Sequence, residues 1–137
     1  MNIHLDYSIT IDEFLEMVDS VGWKTYSKLQ VEKALENTMY MVKATVDGEL
    51  AGIGRVVGDY SIICILTDIC VKPKFQGKGI GLRITNELKK LIETNVSEGE
   101  KMQIELTPTA GNEAFYAKAG FKYRPDKITG MYLWIKK

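Results

Sequence analysis

The sequence predicts a mixed α/β fold: a mostly antiparallel sheet with one parallel strand pair and flanking helices. Three observations carry that prediction. Asp47-Gly48 joins two runs rich in β-formers, "MYMVKATV" and "ELAGIGRVV", which is a strong hairpin signal and makes those strands antiparallel. "SIICILTDICV" follows, dense in β-branched residues. Behind it come Gly77, Gly79 and Gly81, a helical run and then the alternating "KMQIELT". A strand, helix and strand in that order pair in parallel.

The elements follow in order. "IHLDY" reads as a first strand. Thr10 and Glu13 form a capping box, and Ile11, Phe14, Leu15, Val18 and Val21 behind it have helical spacing up to Gly22. Ser27 and Gln30 open a second helix with Val31 and Leu35 inward. Gly58-Asp59 marks a turn before the third central strand. Ile80, Ile84, Leu88, Leu91 and Ile92 form one face of the helix after the glycines, with Arg83, Glu87, Lys90 and Glu93 on the other. "KMQIELT" puts Met102, Ile104 and Leu106 on one side and stops at Pro108. "GNEAFYAKAGF" fits a short helix from near Asn112 to Gly120. "GMYLWIKK" alternates again and reads as a last strand, with Met131, Leu133 and Ile135 on one face.

The chain has 137 residues, the size of one domain over residues 1–137, with 45% hydrophobic and 26% charged residues. Lys plus Arg equals Asp plus Glu at 18 each, so no basic excess points to nucleic acid or an anionic membrane. No leader-like or bilayer-length apolar run stands in the sequence, and a cytoplasmic location is the expectation. Cys64 and Cys70 share one strand, about 20 Å apart at strand rise, too far for a disulfide within it. With His4 the only histidine, neither a metal site nor a Cys-His nucleophile pair is expected.

"VKPKFQGKGIGLRI" carries the chemistry. The start of a helix presents unpaired N–H groups and partial positive charge, a site for phosphate. Glycine lets a bulky anion approach and supplies positive φ. Lys78 sits in the turn, and Lys72, Lys74 and Arg83 are near in sequence. A bend alone would need one glycine rather than three at alternate positions. The dinucleotide fingerprint fails at Leu82 and the Walker A loop fails at Gly79, so neither of those phosphate ligands is indicated.

"VKPKFQGKGIG", Val71 to Gly81, resembles the V-x-P-x-x-Q-G-x-G-x-G stretch of the GCN5-related N-acetyltransferase (GNAT) family. "NEAFYAKAGF", Asn112 to Phe121, resembles that family's second signature, and the element order is similar over nearly the whole chain. The resemblance implies that Gln76, Gly77, Lys78, Gly79, Ile80 and Gly81 hold the pyrophosphate of acetyl-CoA. It implies that Ile69, Cys70 and Val71 meet the pantetheine arm through the main chain, one amide polarising the thioester carbonyl. Asn112 would reach the same arm, with Phe115 and Tyr116 beside it. By the same match Tyr116 is the acid for the leaving thiolate; ordinary aromatic packing is the alternative.

Asp68 is a lone carboxylate in an apolar strand. It is a candidate base, water-orienting group or binder of the acceptor's ammonium, against an equal case for a structural aspartate. Glu105 is a weaker second candidate, and Cys70 reads as structural. The family's acceptor side falls here on Trp23 and Tyr26 and on Tyr132 and Trp134, with packing favoured for Trp134. The leading expectation is acetyl transfer from acetyl-CoA to a primary amine, of a small molecule first and of a protein second. A cofactor-binding sensor without turnover and a nucleotide binder unrelated to coenzyme A are the alternatives. A homodimer is expected by analogy only.

Overall fold

A computed structural model describes residues 1–109, 111–123 and 130–137. Strand β1 (Ile3–Asp6) leads to helix α1 (Ile11–Ser20), which begins with the expected capping box. Thr10 Oγ1 accepts from the Glu13 N–H, and the Glu13 carboxylate accepts from the Thr10 N–H, both at 3.0 Å. Ser27 caps α2 (Lys28–Glu36) by accepting from the Gln30 N–H at 3.2 Å. Strands β2 (Tyr40–Val46) and β3 (Glu49–Gly58) are joined by Asp47 and Gly48, with φ of +49 and +84, the doubly positive turn that Asp-Gly favours. β4 (Ile63–Val71) follows a turn in which Asp59 Oδ1 accepts from the amides of Ser61, Ile62 and Ile63.

After β4 come a 3-10 turn (Pro73–Phe75), α3 (Ile80–Glu93) and β5 (Gln103–Glu105). The five strands lie in sequence order, antiparallel except for the parallel pair β4 and β5. Alternation along the strands splits the core into two layers. Phe14, Met17, Val18 and Val31 from α1 and α2 pack on Met41, Ile53 and Cys70. On the other face Ile80, Ile84, Leu88 and Ile92 of α3 are buried, each worth about 1.5–3 kcal/mol of transfer from water. Gly52 and Gly54 of β3 let α3 lie close.

The chain divides into two compact units, Met1–Leu106 and Thr107–Lys137. The second contains α4 (Glu113–Lys118). Gly120 ends it at φ +93, with its N–H on the Ala117 carbonyl and the Phe121 N–H on the Tyr116 carbonyl, at 3.0 and 3.2 Å. That is a Schellman closure, and the Phe121 ring packs edge-on to Tyr116 as such closures favour.

One expected element is absent. Gly130–Lys137 forms no strand, and Met131 and Leu133 are 97% and 83% exposed. Its alternation is intact in the sequence, but no described residue forms a ladder with it, and a strand exists only when paired. β5 is also shorter than "KMQIELT", since only Gln103–Glu105 meets β4.

Candidate functional site

The glycine-rich turn forms the junction from β4 to α3, as the sequence predicts. Phe75 is buried and anchors it. Gln76 closes it by donating from Nε2 to the Val71 carbonyl at 2.9 Å, so its side chain shapes the loop. Gly77 and Gly79 have φ of +76 and +80, and Gly79 is the N-cap of α3. A Cβ at either would meet nothing within 4 Å, so the left-handed backbone, not crowding, calls for glycine there. Ile80 is a core side chain that offers a ligand only its main chain.

No side chain caps α3 and no acidic residue stands in its first turn. Its first internal bond runs from the Arg83 N–H to the Gly79 carbonyl at 3.1 Å. The amides of Ile80, Gly81 and Leu82 are left without an intrahelical acceptor. Lys78 and Arg83 are exposed and enter none of the ion pairs among the described residues. Lys72 and Lys74 are not available in the same way. They pair with Glu16 at 3.3 Å and Glu49 at 2.7 Å, carboxylates distant in sequence that the turn brings near. An uncapped, acid-free helix mouth beside two cations fits a diphosphate.

Next to this mouth the sheet opens. The β4–β5 ladder joins Ile63, Cys64 and Ile65 to Gln103, Ile104 and Glu105 and stops. From Leu66 to Val71, β4 is paired with β3 alone among the described residues. The unused strand edge, which includes Ile69, Cys70 and Val71, fits an extended amide-bearing arm.

The β3–β4 register slips within this stretch. Arg55 faces Thr67 and Ile53 faces Cys70, so Gly54 alone opposes Asp68 and Ile69. This bulge has Asp68 at φ +56. The Asp68 Oδ2 accepts from Arg55 Nε, and the two side chains are 22% and 16% exposed. Arg55 also donates from Nη1 to Thr38 Oγ1 at 3.2 Å. Arg55 was missed in the sequence, although it and Asp68 are lone opposite charges in neighbouring apolar strands. Glu105, the weaker acidic candidate, accepts from Gln103 Nε2 at 3.1 Å. Cys70 is buried, and burial followed by the Asp68 charge pushes its thiol up to about 12.

In the second unit Tyr116 lies on α4 with its ring edge-on to Phe115, centroids 4.8 Å apart. Asn112 donates from Nδ2 to Thr109 Oγ1. Trp23 and Tyr26 lie half-exposed in the α1–α2 connection, and Tyr132 is 89% exposed. A cavity of about 310 Å³ in the first unit is bounded by Tyr7, Ile9, Leu35, Thr38, Tyr40 and Leu91, at the sheet end away from the glycine turn. Neither Trp23 nor Tyr26 lines it. Among the described residues, no group of three or more His, Cys, Asp or Glu is gathered to hold a metal.

Comparison with known proteins agrees with this geometry. An "Uncharacterized N-acetyltransferase ycf52" of Pyropia yezoensis is 28% identical over 129 residues, 91% of this chain and 72% of that protein. A "Probable Acetyltransferase" of unknown function from meticillin-resistant Staphylococcus aureus has a similar solved structure, with a TM-score of 0.87 at 24% identity, covering 98% of this chain and 100% of that one. Glucosamine-6-phosphate N-acetyltransferase from Arabidopsis thaliana shares the fold at a TM-score of 0.76 and 15% identity, over 99% of this chain and 100% of that one. The model of the acetyltransferase (GNAT) domain matches residues 11–129, and the chain belongs to the GNAT family of acetyltransferases.

Proposed function

We propose that this acetyltransferase carries an acetyl group from acetyl-CoA directly to a primary amine of a small molecule, both substrates being bound at once. The observation that carries the cofactor half is the uncapped mouth of α3 next to the open edge of β4. The main chain from Gln76 to Gly81 binds the pyrophosphate, with Lys78 and Arg83 balancing its charge. Ile69, Cys70 and Val71 pair with the pantetheine arm as a strand would, and the family resemblance assigns Asn112 and Phe115 of the second motif to the same arm. Bound acetyl-CoA supplies an acyl group already activated as a thioester.

The chain's own groups then manage protons and charge. A main-chain amide at the bulge donates to the acyl oxygen, where negative charge grows during attack. Asp68 keeps Oδ1 for the acceptor's ammonium or for a water that takes its proton, because only Oδ2 is engaged by Arg55. Tyr116 gives its phenolic proton to the departing thiolate. Trp23 and Tyr26, half-exposed in the α1–α2 connection, contribute aromatic surface to the acceptor. The small-molecule reading draws on the amino-sugar phosphate that the Arabidopsis enzyme's name specifies.

Calorimetry with coenzyme A, ATP and NAD, together with thiol release from acetyl-CoA over a panel of small primary amines and short peptides, tests this reading. Coenzyme A is expected to bind in preference to the others, and at least one small amine to give saturable thiol release. Binding of ATP or NAD in place of coenzyme A overturns the cofactor assignment. Coenzyme A binding with no release against any amine turns the reading into that of a sensor. Release with peptides alone moves the acceptor to proteins.

A further inference from the structure

We propose that Arg55 is a positioning residue for acyl transfer: braced on Thr38, it holds Asp68 in the left-handed conformation that forms the β4 bulge and aims a main-chain amide there at the acyl carbonyl. The inference rests on the acetyl-transfer reading above. A left-handed backbone costs energy for a residue with a side chain, for aspartate less than for most, and a continuous ladder would remove it. At position 68 the chain has aspartate, at φ +56, where glycine would be the ordinary choice for such a bulge. A contact from outside the residue stabilises it there further.

The neighbouring strand supplies the hold. Arg55 donates from Nε to Asp68 Oδ2 and from Nη1 to Thr38 Oγ1 at 3.2 Å. The Thr38 hydroxyl donates in turn to the Ala34 carbonyl at 2.9 Å. A hydroxyl has one hydrogen to give and lone pairs to receive with, so Thr38 fits between the two. The relay thus runs from the last turn of α2, across β3, into the residue that breaks the β4 ladder. Simple strand cohesion does not account for it, because β3 and β4 are already joined by main-chain bonds on both sides of the bulge. A fork that locks two side chains at once has a geometric task, and the group it fixes is the extra residue of the strand lining the open edge.

The test is infrared difference spectroscopy of carbonyl-labelled acetyl-CoA bound to the protein, with coenzyme A calorimetry alongside. Wild type is expected to move the thioester carbonyl to lower frequency. Arg55→Ala and Thr38→Val are expected to bind coenzyme A about as tightly as wild type, yet lose most of that shift, with kcat down roughly tenfold to a hundredfold. Arg55→Lys, which keeps the charge without the fork, falls between. In an Asp68→Gly background, where glycine reaches positive φ unaided, Arg55→Ala is expected to cause no further loss of shift. An unchanged shift in Thr38→Val and in folded Arg55→Ala overturns the proposal and leaves the acetyltransferase reading standing. Failure of wild type to bind acetyl-CoA overturns both. Should Arg55→Ala not fold, Thr38→Val and Arg55→Lys decide the matter.

Discussion

Cys70 has its sulfur in the strand that borders the open edge, yet its surroundings make it a poor nucleophile. With its thiol pushed up to about 12, by burial first and by Asp68 second, only about one molecule in ten thousand is thiolate at pH 8. Iodoacetamide at pH 8 is therefore expected to leave Cys70 of the folded protein unmodified and to label it on unfolding. Cys70→Ala should retain acetyl transfer. Fast labelling, or a dead alanine variant, would point to an acyl-cysteine route. Tyr116 is the opposite case. Its ring is part of the closure of α4 through Phe121, and that contact does not use the hydroxyl. Tyr116→Phe should keep that ring contact and lower kcat about a hundredfold, with little change in KM for acetyl-CoA. A normal kcat would move the acid elsewhere.

Two helix starts show how differently an N-terminus can be used. α1 is fully capped from within the chain, and Glu13 also meets Lys43 at 3.0 Å. Its carboxyl is lowered from an ordinary 4.5, chiefly by the Thr10 backbone N–H and further by Lys43. A carboxyl lowered by folding adds stability that is complete above that ordinary value and disappears as pH falls through the folded value. Thr10→Ala should cost about 1 kcal/mol at neutral pH, by urea unfolding, and Glu13→Gln should cost stability at neutral pH that disappears on acidification below about pH 4.5. α3, by contrast, starts without a side-chain cap. Gly79→Ala adds no clash but strains a backbone at φ +80, by about 1–2 kcal/mol, and coenzyme A binding by calorimetry should weaken about tenfold. Both starts were legible, because capping residues and glycines act locally. The strand expected at Gly130–Lys137 was not, since alternation shows which side chains share a face and says nothing about a partner strand.

Across the whole chain, the parts readable in advance were those fixed by short spacings: the hairpin, the glycine turn, the parallel unit and the α4 closure. Met17, fully buried, was overlooked because the helical stripe was centred on Phe14 and Val18, and the sequence does not show which flank of that stripe meets the sheet. Arg55 was overlooked for a deeper reason. Its partner is thirteen residues away, and only the slipped register aligns the two. Gly54 lies at that slip. A Cβ added there would come within 2.7 Å of Ile84, 3.0 Å of Leu88 and 3.1 Å of Ile69, two residues of α3 and one of the bulge. Gly54→Ala should cost about 1–3 kcal/mol in thermal or urea unfolding and lower kcat more than it weakens coenzyme A binding. The absent side chain then works like a gauge block in a machine: it sets the span between the helix behind the glycine turn and the kinked strand beside it, and a shim of one methyl would leave the two out of true.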